Sequence, residues 1–322
     1  MNNSQNMVAN MESEGQLNAI GTPVAEVAID TNLVYSLLSA QHPDLMHLPL
    51  HLVDTGWDNV MFRLGDRLSV RLPRRQIAAT LIENEQTWLP VLAKQLTLPV
   101  PAPYRIGLPT QDYPWRWSVL PWLTGVTADQ QEPHANQVKL FAAFLRSLHT
   151  PAPTNAPKNA GRGVPLPQRA ASIEERMQRL QSKTHIITHK LRDIWNMALN
   201  APIDVEAKWL HGDLHPRNIL VENGAIAGIV DWGDITSGDI ATDLASIWML
   251  FSQPNARFQA LTEYANVSPA TLQRALGWAI VFGVMLLDTG LIDHPIHAVM
   301  GERTLHRVCE DVINFSINIP KN

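Results

Sequence analysis

Cysteine is nearly missing from this chain: Cys309 stands alone among 322 residues. An intramolecular disulfide and a cysteine-based zinc site are therefore both impossible, and a single thiol fits an ordinary residue of a protein kept in a reducing cytoplasm. Basic runs are missing as well. With 25 Lys and Arg against 30 Asp and Glu, a net charge of −5 and a pI near 6.2, the chain carries no electrostatic footprint for nucleic acid or an anionic membrane, and neither is expected as a partner. Long apolar runs are lacking too. The longest, Ala275 to Leu287, lies between Arg274 and Asp288 and falls short of the ~20 residues that a membrane span requires. It reads as a buried core helix, with Ser268 as N-cap and Pro269 in the first turn. The first 25 residues have neither the basic start nor the apolar stretch of a signal peptide and read as a disordered or loosely attached tail. No internal repeat is visible, and the oligomeric state stays open.

What is present is a core: 45% of the residues are hydrophobic, enough over this length for two lobes. Asp30 and Thr31 introduce a helical pattern (Leu33, Val34, Leu37, Leu38). Short strand-like segments follow at Leu50 to Thr55, Val60 to Leu64 and Leu68 to Leu72, separated by the turn signals GWDN and GD, which predicts an antiparallel meander. From Gln76 to Leu96 the period becomes helical, with Ile77, Leu81, Trp88, Leu92 and Leu96 on one stripe, until the prolines of LPVPAPYRIG end it. Trp115 to Leu120 reads as a further strand and His134 to His149 as a helix. Thr150 to Pro167, with five prolines and two glycines, reads as an irregular connector, either flexible or ordered against a neighbour. Helical segments fill most of the rest. Strands before about residue 120 and helices after it predict an α+β fold of two lobes joined near LPWLTG, with the ligand in the cleft between them.

The segment WLHGDLHPRNILVENGAIAGIVDWGD, Trp209 to Asp234, carries the chemistry. ILVE and AIAGIVD flank Asn223-Gly224, the dipeptide best suited to a two-residue hairpin turn with positive φ at both positions. The hairpin brings its two ends together, so the amide oxygen of Asn218 and the carboxylate of Asp231 can converge on one hard cation. Few oxygen ligands of this kind suit Mg²⁺, which keeps waters and borrows oxygens from a nucleotide's phosphates. Asp213, five residues before Asn218, is then free to orient and deprotonate a hydroxyl. On the Gln76 to Leu96 helix a 100° step puts Glu85 in the apolar stripe between Leu81 and Leu89, while Glu83 faces away. A carboxylate facing inward needs a cation, and Arg71 on the preceding strand is the candidate. The alternative is that Arg71 and Arg74 are surface cations and Glu85 sits at a helix edge. His211 and His215 flank Asp213; a metal-binding role for them is weaker than a structural hydrogen-bonding one.

HGDLHPRN followed by VDWGD resembles the catalytic and metal-binding segments of the aminoglycoside phosphotransferase family, small-molecule kinases that include the macrolide phosphotransferases. The resemblance covers roughly residues 50 to 315, with its sharp motifs between 211 and 243. It implies a bilobal protein-kinase-like fold, with a small antiparallel-sheet N-lobe carrying one main helix over residues 26–121 and a larger, mostly helical C-lobe over 122–322. It further implies Asp213 as catalytic base, Asn218 and Asp231 as magnesium ligands, and ATP or GTP as phosphoryl donor. Gly212 stands where a protein kinase has Arg, which favours a small-molecule acceptor. Arg71 stands where the family has a strand Lys, paired with Glu85 on the α and β phosphates; an RxPRR stretch of the same kind occurs in macrolide phosphotransferases. Thr55 and Asn59, at the first strand turn, occupy the place of the phosphate-covering loop, although with Gly56 as its one glycine this turn fits an ordinary hairpin equally well. Alignment with the interlobe linker sets the carbonyl of Pro121 and the N–H of Leu123 against the adenine edge. Asp239 reads as an N-cap of the helix DIATDLASIWMLF, and Asp243 as a hydrogen-bonder to the catalytic-loop backbone.

The expected activity is transfer of the γ-phosphoryl group to a hydroxyl of a small molecule: an aminoglycoside-like or macrolide-like antibiotic, or a metabolic alcohol. The acids Asp288, Asp293, Glu302, Glu310 and Asp311 could line a pocket for a polycation or form a solvated face. A nucleotide-binding pseudokinase scaffold is the alternative. A metallophosphoesterase, which GDLH also suggests, would need a Gly-Asn-His segment that the sequence lacks.

Overall fold

The computed structural model describes residues 24–314, so most of the N-terminal tail lies outside the described residues. Helix α1 (Thr31–Gln41) begins where Asp30 Oδ1 accepts the Leu33 N–H at 2.8 Å. It lies beside a five-stranded antiparallel sheet of order β1-β2-β3-β5-β4, built from β1 (Leu50–Thr55), β2 (Asn59–Leu64), β3 (Leu68–Pro73), β4 (Arg105–Gly107) and β5 (Trp117–Pro121). The meander read from the sequence is present with its turns in place. β4 is an addition: three residues are too few to show an alternating pattern, and its strand character comes from pairing with β5.

Helix α2 (Gln76–Leu92) connects β3 to β4. Its inner face is Ala78, Ala79, Ile82, Glu85, Gln86, Leu89 and Leu92, whereas Ile77 is exposed, so the stripe is rotated from the one expected. The reason is polar: Gln86 Nε2 donates to the Trp117 carbonyl and to Ser118 Oγ, both at 3.0 Å, and so is drawn onto the sheet.

After β5 come β6 (Val126–Thr127), α3 (Val138–Leu148), α4 (Ala170–Gln181) and α5 (His189–Asn200). Next are β7 (Lys208–Leu210), β8 (Ile219–Glu222), β9 (Ala225–Ile229) and β10 (Thr236–Gly238), then α6 (Ala241–Leu244), α7 (Ser246–Leu250), α8 (Pro254–Tyr264), α9 (Pro269–Gly290) and α10 (Pro295–Asn314). The segment read as one helix from Asp239 is thus two short ones. Ser268 caps α9 as anticipated, its Oγ accepting the Thr271 N–H at 2.9 Å. With 22 residues α9 is long and apolar enough to cross a membrane, but 78% of its most apolar window is buried inside the protein. The fold is α+β with a kinase-like pair of lobes. One apolar cluster joins α1 to the sheet (Val34, Leu37, Phe62, Val70, Trp117); the second is built around α3, α9 and the 209–251 segment and takes in Leu89 and Leu92 of α2.

Candidate active site

β7 and β10 pair antiparallel, so the chain enters and leaves the 211–235 segment at the same place. The entry is tightly held. Asp243, fully buried on α6, accepts the backbone N–H groups of His211 (2.7 Å) and Gly212 (2.9 Å), and His149 Nε2 lies 3.4 Å from the same carboxylate. Asp243 therefore acts on the loop backbone as the resemblance implied. The His211 ring sits between Val230 O (Nε2, 3.0 Å) and the Asp213 N–H (to Nδ1, 3.3 Å), against the Trp232 indole. That is a structural role, with both ring nitrogens spent inside the protein.

Gly212 has φ 87°, and a Cβ there would stand 2.6 Å from the Asp234 carbonyl oxygen. Gly212→Ala is accordingly expected to cost about 1–3 kcal/mol, read as a lower melting temperature, because the strained φ and the backbone clash act together. A variant as stable as the parent would show that the loop relaxes freely.

The residues after Asp213 form one 3₁₀ turn, Pro216–Asn218. His215 caps it: its Nδ1 accepts the Arg217 N–H at 3.2 Å, and its Nε2 lies 3.3 Å from Asp213 Oδ2. Asn218 Nδ2 donates to the Asp213 carbonyl at 2.8 Å, which commits the amide nitrogen and turns the oxygen to the other side of the amide. The hairpin then behaves as read. Asn223 and Gly224 have φ of 52° and 79°, Ile219 pairs with Ile229, and the Val230 N–H donates to the Asn218 carbonyl at 2.9 Å. Asp231 follows directly, its φ of 60° turning a half-exposed carboxylate out of the ribbon.

Arg71 and Glu85 are both buried and form an ion pair, and Arg71 Nη1 also reaches Asp231 Oδ1 at 3.4 Å. One guanidinium thus links the strand, the helix and the hairpin end. Thr55 and Asn59 flank the turn between β1 and β2, and among the described residues no hydrogen bond joins either to Asp213, Asn218 or Asp231. Their turn is pinned instead by two arginines. Arg74 Nη1 donates to Gly56 O at 2.8 Å, and Arg75 pairs with Asp58. Trp57, at its tip, donates through Nε1 to His294 Nε2 at 3.3 Å, between α9 and α10. Pro121 ends β5 opposite Leu68, and Leu123 lies against Gly228 of the hairpin, which places the linker over β9.

Sequence reasoning left the connector open between flexible and ordered, and it did not single out Arg162. The proline-rich connector is ordered: Pro157 O accepts from the Ser237 N–H (3.1 Å) and from Thr236 Oγ1 (3.0 Å), and Gly163 O accepts the Asp239 N–H at 3.0 Å. It delivers Asn159 to Asp234 (2.6 Å) and Arg162 to Asp213 Oδ1 (2.9 Å). Burial pushes the Asp213 carboxyl up, but the charges of His215 and Arg162 outweigh it and hold the group well below the usual carboxylate range. Asp234 goes the other way: burial, opposed by Arg162 but reinforced by the charges of Asp213 and Asp231, pushes it up to about 6. Two of the five acids considered for a polycation pocket are consumed in buried ion pairs. Asp288 is buried between Arg176 and Arg179, and Asp311 is buried against Arg257 and the Trp248 N–H. Asp239 bonds the Ala241 N–H as a cap and also pairs with Arg274 at 2.6 Å.

Among the described residues no group of three or more His, Cys, Asp or Glu gathers into a metal-holding cluster. The donor set at the hairpin ends is one carboxylate and one amide oxygen, which is too sparse for an all-protein Ca²⁺ or Zn²⁺ site and fits Mg²⁺ shared with phosphates.

The chain folds as a kinase-like pair of lobes, with an acid, an amide and a second acid at the ends of a β-ribbon. A family model described as "Phosphotransferase enzyme family" matches residues 50–278, and the chain belongs to that family. It is 26% identical over 227 residues to the uncharacterized protein YcbJ of Bacillus subtilis (strain 168), a match spanning 63% of this chain and 70% of that protein. Among solved structures it is similar to the GDP complex of wild-type aminoglycoside 2'-phosphotransferase-IIIa (TM-score 0.63, 18% identity, 89% of this chain and 100% of that one). It is also similar to macrolide 2'-phosphotransferase MphH from Brachybacterium faecium (TM-score 0.55, 19% identity, 86% and 97%). At these identities the structural likeness speaks for the fold.

Proposed function

We propose that the protein transfers the γ-phosphoryl group of ATP or GTP to a hydroxyl of a small molecule, with Asp213 as the base. The observation that carries this reading is one hairpin end where Asn218 bonds the Asp213 carbonyl and the Val230 N–H bonds the Asn218 carbonyl just before Asp231, with Arg71 bridging Glu85 and Asp231. Solved relatives in complex with GDP, ADP and ATP support a nucleotide donor. The nucleotide would lie between residues 26–121 and 122–322, with Pro121 and Leu123 at the adenine edge and Arg71 on the phosphates. Thr55, Asn59 and the backbone of their turn would cover those phosphates. Asn218 and Asp231 would hold Mg²⁺, which would supply positive charge against the nucleotide's phosphates. Phosphoryl transfer of this kind depends mostly on positioning and charge neutralisation. The depressed basicity of Asp213 suits it to orienting the acceptor O–H and taking the proton late, once the new P–O bond has acidified it.

For the acceptor, relatives solved with kanamycin or gentamicin and the macrolide phosphotransferases mark out aminoglycosides and macrolides as candidates, alongside metabolic alcohols. A cytoplasmic setting suits both the donor and the lone thiol. The test is a screen of hydroxyl acceptors with purified protein, Mg²⁺ and ATP or GTP, read by acceptor-dependent nucleotide consumption. Tight nucleotide binding with no turnover on any acceptor would favour a scaffold over an enzyme.

A further inference from the structure

The connector between α3 and α4 carries a single cation to the base, and the way that cation is bonded differs from that of Arg257 and Arg274, two other buried arginines of this lobe. Arg257 spends its fork on Asp311, Glu310 and the carbonyls of Phe251 and Ser252; Arg274 spends its own on Asp239, Asp204, Thr271 and the Pro202 carbonyl. Those two are structural, with their donors matched to acceptors as burial demands. Arg162 gives one nitrogen to Asp213, rests its guanidinium carbon 4.9 Å from the centre of the Phe282 ring, and leaves its Nε buried without a hydrogen-bond partner.

Its backbone is fixed on both sides. The Gly161 N–H donates to Asn159 Oδ1 at 2.8 Å, Asn159 is itself held by Asp234, and Gly163 is bonded to Asp239. A rigidly presented guanidinium with unspent donors, beside a carboxylate that is still partly open to solvent, is arranged to receive a further oxyanion.

We propose that Arg162 is a catalytic cation supplied in cis, which keeps one nitrogen on Asp213 and turns its remaining donors to the phosphoryl group in transit. The inference rests on the phosphotransfer reading above. In that step the acceptor oxygen forms the new bond to phosphorus while the bridging bond to the β phosphate breaks. The hydroxyl proton passes to Asp213, and the nucleoside diphosphate leaves with the electron pair of the broken bond. Arg162 gives and takes no proton; it stabilises the charge spread over the equatorial oxygens. The geometry follows from Asp213 itself, because the oxygen that is phosphorylated must lie within about 3 Å of that carboxylate, and Arg162 touches the same carboxylate.

The test uses the full chain with Mg²⁺ and ATP or GTP, measuring slow nucleotide hydrolysis, where water is the acceptor, and the binding of nucleoside diphosphate with and without aluminium fluoride as a mimic of the moving phosphoryl group. In Arg162→Ala the diphosphate alone should bind within about threefold of the parent. Hydrolysis and the gain in affinity from aluminium fluoride should both fall about 10²- to 10³-fold, the cost of removing one charge-stabilising donor group, and added guanidinium ion should restore part of the rate. Arg162→Lys keeps a cation for Asp213 without the fork and guards against simple misfolding; it should remain at least tenfold slow. Full activity in Arg162→Lys, or equal weakening of diphosphate and fluoride complexes in Arg162→Ala, would reduce the residue to a structural partner of Asp213 and overturn the proposal. A parent chain that binds no nucleotide at all would overturn the phosphotransfer reading along with it.

Discussion

Asp213→Asn is expected to bind Mg²⁺ and nucleotide within a few-fold of the parent and to lose about 10²- to 10⁴-fold in turnover on any acceptor, the range for removal of a positioned general base. Asparagine keeps the shape and one oxygen for Arg162, so the catalytic loop, anchored from behind by Asp243, stays in place. The change takes away only the proton acceptor and the negative charge. A split of this kind, with kcat low and nucleotide affinity kept, separates a base from a loop-ordering residue; turnover at the parent rate would remove Asp213 from the chemistry.

Arg71→Met should be the most damaging single change in the N-terminal lobe. It leaves Glu85, wholly buried, without its cation, and breaking such a pair costs about 3–5 kcal/mol. A fall in melting temperature of about 4–7 °C follows at this chain length. The informative comparison is Arg71→Met combined with Glu85→Leu. Replacing both partners by apolar groups removes the stranded charge, so stability should return to within about 1–2 kcal/mol of the parent while nucleotide affinity stays weak. Should the double variant be as unstable as the single one, the damage would lie in packing and not in charge. Should either variant bind nucleotide like the parent, Arg71 would have no part in holding phosphates.

These expectations depend on elements that differ in how plainly the chain announces them. The hairpin was readable because Asn223-Gly224 has one favoured turn type, and the turn then fixes which residues end up side by side. The Arg71–Glu85 pair was readable because an acid on an apolar helix stripe needs a cation and the adjoining strand offered one. Arg162 was invisible for the opposite reason. A proline-rich stretch has no period, and its order comes from carbonyls of Pro157 and Gly163 meeting backbone and hydroxyl donors 76 to 80 residues further along. Contacts of that kind leave no mark on local sequence. The two- and three-residue strands β4, β6, β7 and β10 were lost for the same cause, and the rotation of α2 turned on Gln86, a polar residue that periodicity assigns to solvent.

The contact between the Trp57 indole and His294 joins the tip of the β1–β2 turn to the far lobe across 237 positions of chain. A single part-buried neutral bond of this sort contributes about 0.5–1.5 kcal/mol, so on its own it shifts the balance between latched and unlatched molecules by roughly fivefold. A gate so light opens by thermal motion alone. On the phosphotransfer reading proposed above, entry of the donor and exit of the spent diphosphate would not wait for binding energy to part this turn from the far lobe.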